Sequence, residues 1–450
     1  MRFYDEGEAI TYIFRSIARL RDMERGPDED SRDTTPTKQL IQLADLLDYQ
    51  REYAVVTGSK GKGSTTVITA KLLQHLGHTV GTITSPHLVS WRERIRVNGR
   101  SIPSADFVRI LEGLAPYIDQ IESSLTGKQY FSPQGIFLAI ALRWFDEQGV
   151  NAAVLEVGRG GRYDDISVVP NRLSLFTPIM LEHVKQLGRT LERIAWHKAG
   201  IIKPYSYAYS VPQAPEALDV IQAEADALKA EFAWIAPQDM GEYLGETDEG
   251  MRMRYGRYGE MTLALKGTYQ IMNATLAIQG AGNMHGRLAG MAHAAPEYVA
   301  AIHTGLADVK WYGRMHKLQD SPAIWVDGST TVVAARSVLE SIPINAPLIT
   351  ILGTPIDRDY EGVYRIFGEK SAALILTESK INFNVRFPDA ETALTAARQY
   401  NADVTYAPTL DRAVELARAK AGGAGTIMLA VAQPLVGEAM LLWGYNLDSI

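Results

Sequence analysis

Eight residues, Gly58-Ser-Lys-Gly-Lys-Gly-Ser-Thr65, carry the densest chemistry in this 450-residue chain. Glycines at 58, 61 and 63 let backbone N–H groups turn inward. A following helix would aim its N-terminus at an anion, and Lys62 would neutralise terminal phosphates. Ser64 or Thr65 stands where a hydroxyl can reach a magnesium ion. The spacing departs from the usual G-x-x-x-x-G-K-S/T by the glycine between Lys62 and Ser64. Gly58, Ser59, Lys60, Gly61, Lys62, Gly63, Ser64 and Thr65 are therefore candidate ligands of a nucleoside polyphosphate. The plainer reading is a glycine-rich turn with no ligand.

Such a loop needs a buried strand before it and a helix after it, and both patterns are present. Tyr53 to Thr57 is a short apolar run that ends at the glycines, and Thr65 to Leu76 has helical periodicity. Thr79 to Thr84 and Ala152 to Val157 read as further buried strands, separated by helical patterns over 105–120 and 134–148. Upstream, apolar residues Ile10, Ile13, Phe14, Ile17 and Leu20 predict an amphipathic helix over 6–22. A polar loop from Arg25 to Lys38 and a second helix over Leu40–Leu47 should follow. Strands alternating with helices imply a mostly parallel sheet covered on both faces. The pattern restarts after about residue 300, with strand-like runs at Ala323–Asp327, Leu348–Leu352, Ala373–Leu376 and Thr426–Ala430. The expected class is α/β: an N-terminal P-loop ATPase domain over 1–304, then a smaller Rossmann-like domain over 311–450.

Composition narrows the field. The chain is 46% hydrophobic and 22% charged, with a formal charge of −7, ordinary for a globular protein and unlike a general nucleic-acid binder. The arginine-rich stretch Trp91-Arg-Glu-Arg-Ile-Arg96 is too short to reverse that, and it reads more simply as a strand with a solvated face. There is no cysteine, which excludes disulfides, thiolate metal sites and a cysteine nucleophile. The charged N-terminus lacks a signal-peptide core, and no apolar run approaches the roughly 20 residues of a membrane helix. A cytoplasmic monomer without nucleic-acid or membrane partners is expected.

Five blocks between residues 50 and 205 resemble, in order, the Mur ligase superfamily and within it the folylpolyglutamate synthases. The loop matches G-T-N/K-G-K-G-S. Thr84-Ser-Pro-His-Leu-Val-Ser-Trp-Arg-Glu-Arg-Ile-Arg-Val-Asn-Gly99 is similar to S-P-H-L…R-E-R-I-x-I/V-N-G. Leu155-Glu-Val-Gly-Arg-Gly-Gly-Arg-Tyr-Asp164 resembles E-V-G-x-G-G-x-x-D. Met180-Leu-Glu-His183 with Leu187-Gly188 resembles G-I/L-D-H…L-G, and Ile194 to Lys203 resembles I-A-x-x-K-A/G-G-I-I/F-K. Further on, Gly267 to Asn273, Trp311-Tyr-Gly-Arg314, Asp327-Gly-Ser-Thr-Thr331 and Gly353 to Asp359 resemble the family's nucleotide-contact segments.

The resemblance implies an ATP-dependent ligase that phosphorylates a carboxylate and lets an amine displace the phosphate. Bringing anions together in that way calls for metal and cationic stabilisation. It assigns the loop, with Lys62, to the ATP phosphates, Asn273 to the adenine, Arg314 to the phosphates and Asp327 to the ribose. Ser64 or Thr65 would serve one Mg2+, and Ser85, Glu156 and His183 a second. Lys198 matches the lysine the family carries as a carbamate. Taken singly, Glu156 could cap a helix, His183 could be an ordinary histidine and Lys198 a solvated lysine. The expected reaction adds L-glutamate to a folate-type carboxylate acceptor, with ATP bound between the two domains. The alternatives are a Mur-type ligase acting on another carboxylate, or a nucleotide-binding member without activity. Three departures from the family pattern stand out: Thr330 replaces a histidine, Tyr312 replaces a proline, and Phe131-Ser-Pro-Gln-Gly-Ile-Phe137 replaces an aromatic segment.

Overall fold

The computed structural model describes residues 2–20, 26–290, 295–381 and 385–450. The chain forms two compact units. Unit 1 comprises Met1–Ser85, Trp91–Ala264 and Tyr269–Val309; unit 2 comprises Pro86–Ser90, Leu265–Thr268 and Lys310–Ile450.

Unit 1 is built on eight strands: β1 (Glu52–Thr57), β2 (Val80–Ile83), β3 (Ile95–Val97), β4 (Arg100–Ser101), β5 (Ala152–Glu156), β6 (Leu173–Phe176), β7 (Tyr207–Ser210) and β8 (Glu231–Trp234). They lie in the order β4-β3-β2-β5-β1-β6-β7-β8. Only the β2–β3 and β3–β4 pairs are antiparallel. β1 runs between β5 and β6 with five of its six residues buried. Burial on both faces is why it reads as an unbroken apolar run.

The helix Lys62–His75 leaves the end of β1 and is buried from Ser64 to Leu73. It packs on β5, β2 and the helices Tyr269–Ala289 and Pro296–Asp308. Its far end is fastened by Lys71 and His75, which lie 3.4 and 3.1 Å from Asp308. Just beyond it, His78 Nε2 lies 2.9 Å from His285 Nδ1. Burial, and then the charge of His285, push His78 down to about 4, so His78 is neutral near pH 7. A small antiparallel sheet, β9 (Glu242–Thr247), β10 (Gly250–Arg254) and β11 (Glu260–Leu263), completes the unit.

Unit 2 carries a six-stranded sheet of β12 (His316–Asp320), β13 (Ala323–Asp327), β14 (Leu348–Gly353), β15 (Ala373–Leu376), β16 (Val404–Tyr406) and β17 (Thr426–Val431). The order is β12-β13-β17-β14-β15-β16, parallel except for β12–β13. Ile324, Val326, Ile351, Ile375, Ile427 and Leu429 lie in its core. Both sheets agree with the α/β expectation.

Four local expectations change. The helix expected over 6–22 spans Glu6–Ala18, and residues 21 and 22 lie outside the described residues. The loop expected from Arg25 to Lys38 contains two helices, Asp28–Ser31 and Thr35–Leu43; Arg25 lies outside the described residues. Pro36 occupies the first turn of the second helix, where its missing N–H breaks no helical bond. That helix also replaces the one expected over Leu40–Leu47. Finally, Trp91–Arg94 is a 3-10 turn leading into β3, and no residue from 91 to 97 is exposed. Its arginines are turned to internal partners, Arg92 to Glu6 at 2.9 Å and Arg96 to the Gly99 carbonyl at 3.1 Å, so the solvated-face reading fails. No helix among the described residues is long and apolar enough to cross a membrane.

Candidate active site

The C-terminal ends of β1, β2, β5 and β6 carry the candidate residues of unit 1 that gather around the loop. After β1 the chain turns through Gly58 and Gly61, with φ of 144° and 86°. A Cβ on Gly58 would fall on the Thr177 hydroxyl and 2.8 Å from its carbonyl oxygen. Only glycine fits there without strain. The turn is laced to the segment after β6. Thr177 N donates to Thr57 O at 2.9 Å, Ser59 N to Pro178 O at 2.7 Å, and Met180 N to Ser59 Oγ at 2.9 Å.

The helix then begins at Lys62, three residues before the expected start, with Gly61 at its N-cap and no side-chain cap. Its first-turn N–H groups are thus left for a ligand, as phosphate binding requires. Ser64 and Thr65 are buried in this turn, and Lys60 is exposed beside it. The Thr65 hydroxyl donates to Asn273 Oδ1 at 3.5 Å, and Asn273 Nδ2 donates to Gln270 at 2.8 Å. The Asn273 amide also sits in the space that a Gly61 side chain would need. The structure therefore brings Asn273 against the loop.

Two lysines converge on one carbonyl. Lys62 Nζ donates to Gly58 O at 3.1 Å, and Lys198 Nζ donates to the same oxygen at 2.7 Å. Lys198 lies on the helix Leu191–Ala199, its side chain 1% exposed, and pairs with Glu182 Oε1 at 3.2 Å. That removes the solvated-lysine reading. Burial, then the charge of Lys62, lower Lys198 to about 8 against the opposing pull of Glu182. A group so placed gives up its proton more readily than an ordinary lysine.

Glu156 ends β5, is buried, and accepts from Ser85 N at 2.8 Å across the adjacent β2 end. Helix capping is therefore not its role. His183 is exposed and adopts φ 48° at the start of the short helix Val184–Leu187. Ser85 and Glu156 are thus neighbours, whereas His183 stands on a separate turn. Among the described residues, no group of three or more His, Asp and Glu side chains is assembled as a metal cage. The donor set still suits Mg2+, which keeps several waters and takes one or two hard oxygen ligands alongside phosphate.

Unit 2 carries the remaining two candidates. Asp327, at the end of β13, accepts from Met315 N at 2.9 Å. Arg314 Nη1 donates to Gly313 O at 3.0 Å. With its amide oxygen turned inward, Gln433 accepts from both guanidinium nitrogens at 2.6 and 2.7 Å. Ser329 Oγ and Thr354 Oγ1, just past β13 and β14, are buried without a hydrogen-bond partner. Ligands of open α/β sheets bind at such strand ends.

Sequence reasoning missed three residues. Glu182 lies in the Met180–His183 block, whose resemblance assigns a role to His183 alone. Arg94 lies with its guanidinium 4.4 Å from the Trp91 ring centroid and 5.5 Å from that of Phe137. Burial lowers it to about 10, and Glu156 is the charge that opposes the shift. Asp164 accepts from Gly158 N and Arg159 N at 3.2 and 3.3 Å and from Arg32 at 3.3 Å, shaping the turn after Glu156. Its place in the E-V-G-x-G-G-x-x-D resemblance was the signal available.

Residues 56–281 match the family model of the Mur ligase middle domain. A dihydrofolate synthase/folylpolyglutamate synthase of Bacillus subtilis is 30% identical over 319 residues, 69% of this chain and 72% of that protein. Its namesake in Mycobacterium tuberculosis is 30% identical over 433 residues, 89% and 86% of the two chains. Among solved structures, M. tuberculosis folylpolyglutamate synthase complexed with ADP superposes with TM-score 0.80 at 24% identity, over 97% of this chain and 99% of that one. The apo form of L. casei FPGS gives 0.80 at 23% identity, over 98% and 100%.

Proposed function

Because the chain belongs to the folylpolyglutamate synthase family of the Mur ligases, we propose that it joins L-glutamate to a folate-type carboxylate through an acyl phosphate. It is an ATP-dependent ligase that forms an amide bond and releases ADP and phosphate. The observation that carries the proposal is the meeting of Lys62 and Lys198 on the Gly58 carbonyl, beneath an uncapped helix N-terminus. In this reading the loop N–H groups hold the ATP phosphates, and Lys62 swings from Gly58 O to the transferring phosphate and neutralises its developing charge. Asn273 orients the base, Arg314 the phosphates and Asp327 the ribose.

Ser64 would hold one Mg2+, and Ser85, Glu156 and His183 a second. Bound there, the ions would offset the repulsion between ATP and the acceptor carboxylate. Lys198 would work as a carbamate: its neutral amine adds to carbon dioxide and loses a proton, turning a cation into an anion. The lowered basicity that follows from burial and Lys62 favours the neutral amine this needs. The reading includes a monomer working in the cytoplasm.

The test is phosphate release from ATP. Release that requires both a folate and glutamate supports the proposal, and release indifferent to either one removes it. A second reading, a ligase of the same mechanism with another acceptor, is favoured by Thr330, Tyr312 and the altered segment Phe131–Phe137. Mass spectrometry of products from a panel of acids and amines decides between the two.

A further inference from the structure

We infer that Gln433 is a positioning residue of unit 2, whose neutral amide aims the Arg314 guanidinium and leaves its positive charge uncancelled. The inference rests on the reading of Arg314 as a ligand of the ATP phosphates. With its amide oxygen turned inward, Gln433 accepts from Nη2 and Nη1 of Arg314 at 2.6 and 2.7 Å. One oxygen thus bridges both terminal nitrogens, which its two lone pairs allow. Nη1 also donates to Gly313 O at 3.0 Å. Both of these partners are neutral. The fit is close enough that a Cβ on Gly328 would come within 3.1 Å of the Gln433 amide and 3.2 Å of Arg314 Nη1. The glycine after Asp327 therefore leaves the room that the pair fills.

The backbone around Arg314 is fixed by other contacts. The Tyr312 ring meets the His316 and Tyr445 rings edge-on, with centroids 5.7 and 5.4 Å apart. Gly313 packs so tightly on the helix Gln433–Leu442 that a Cβ there would fall on Val436 Cγ1. Met315 N donates to Asp327 Oδ2 at 2.9 Å. What these contacts leave open is the direction of the long Arg314 side chain, and Gln433 settles it from the first residue of its helix. An acid at that residue would gain from the helix dipole. It would also pair with the guanidinium, and an anion arriving at Arg314 would have to compete with it. The amide holds the same two nitrogens without that competition. Because Gln433 acts through Arg314, it is a positioning rather than a catalytic residue.

The test uses the full chain with Gln433→Leu, Gln433→Glu, Arg314→Ala and the double variant Gln433→Leu/Arg314→Ala. The first readout is labelling of Arg314 by phenylglyoxal without substrates, followed by peptide mass spectrometry. The reagent must bridge the two terminal nitrogens that Gln433 holds. Gln433→Leu should speed labelling by about threefold or more, and Gln433→Glu should slow it by about as much. The second readout is steady-state kinetics. Each Gln433 variant should raise the KM for ATP by roughly fivefold with kcat moved less, and the double variant should be no worse than Arg314→Ala alone. Melting temperatures should stay alike, since the backbone contacts remain. Unchanged Arg314 labelling in folded Gln433→Leu overturns the inference alone, as do additive losses in the double variant. Unchanged labelling in Gln433→Glu, which keeps the size and shape of the side chain, overturns it equally. A normal KM for ATP in Arg314→Ala removes the phosphate reading of Arg314, and the inference with it.

Discussion

Each unit has a buried parallel strand that runs through a glycine into a helix, and the two junctions are finished in opposite ways. In unit 2, β13 passes through Gly328 to the helix Val332–Ser341, and Thr331 caps it by accepting from Ala334 N. The flanking charges there are satisfied: Asp327 by Met315 N, and Arg314 by Gly313 O and Gln433. In unit 1, β1 passes through Gly58 and Gly61 to the helix Lys62–His75, which has neither a side-chain cap nor an acid in its first turn. Two lysines crowd one carbonyl beside it. A missing cap costs about 1 kcal/mol, and like charges held close cost more. The unit 1 junction thus leaves its helix end open, whereas the unit 2 junction caps its helix and leaves the buried Ser329 Oγ unpartnered. An open helix end beside two lysines is the arrangement that the proposed binding of an anion calls for.

The contrast is broken most directly at Lys62. Lys62→Ala should lower kcat by roughly a thousandfold or more while the melting temperature holds, since in the proposed function its charge meets the transferring phosphate and acts mainly in the transition state. Near-normal turnover in a folded variant would end the reading of this loop as the reaction centre. Next comes Lys198→Ala, expected to lose about a hundredfold, with partial recovery in millimolar formate or acetate if an anion is what the position supplies. Full activity without additive would remove Lys198 from the mechanism. On the other side, Asp327→Asn should raise the KM for ATP by about tenfold and change kcat less, because the proposed ribose contact would be made alike in ground and transition states. A kcat loss as deep as that of Lys62→Ala would erase the distinction between the junctions. The smallest effect is expected for Thr331→Ala. Loss of that cap should reduce stability by about 1 kcal/mol in urea denaturation and leave kinetics unchanged.

The parts that were legible in the sequence were those whose physics is local. β1, β5, β14 and β17 announce themselves because strands buried on both faces must be apolar throughout. The loop is legible because left-handed φ values and close approach to Thr177 leave glycine few substitutes. The helices between 28 and 43 were not, because Pro36 and the polar residues around it give the same composition in a helix start as in a loop. Glu182 and Arg94 were hidden for another reason. Their partners, Lys198, Glu156 and the Trp91 and Phe137 rings, become neighbours only through packing, and no periodicity records that. The small sheet β9–β11 offers short, half-exposed strands whose pattern is too weak to read.

The helix that starts at Lys62 has one more consequence, a mechanical one. At 14 residues it is about 20 Å long, and it is bolted at both ends. Thr65 holds Asn273 near the start; Lys71 and His75 hold Asp308 near the finish, with the His78–His285 contact just beyond. It is a strut, not a spring. With its ends so held, the rod should pass any strain introduced by a nucleotide to the turns at 57–61 and 177–183. Hydrogen exchange should register this as slowing confined to those turns on adding ATP, with the amides of the strut already slow and hardly altered.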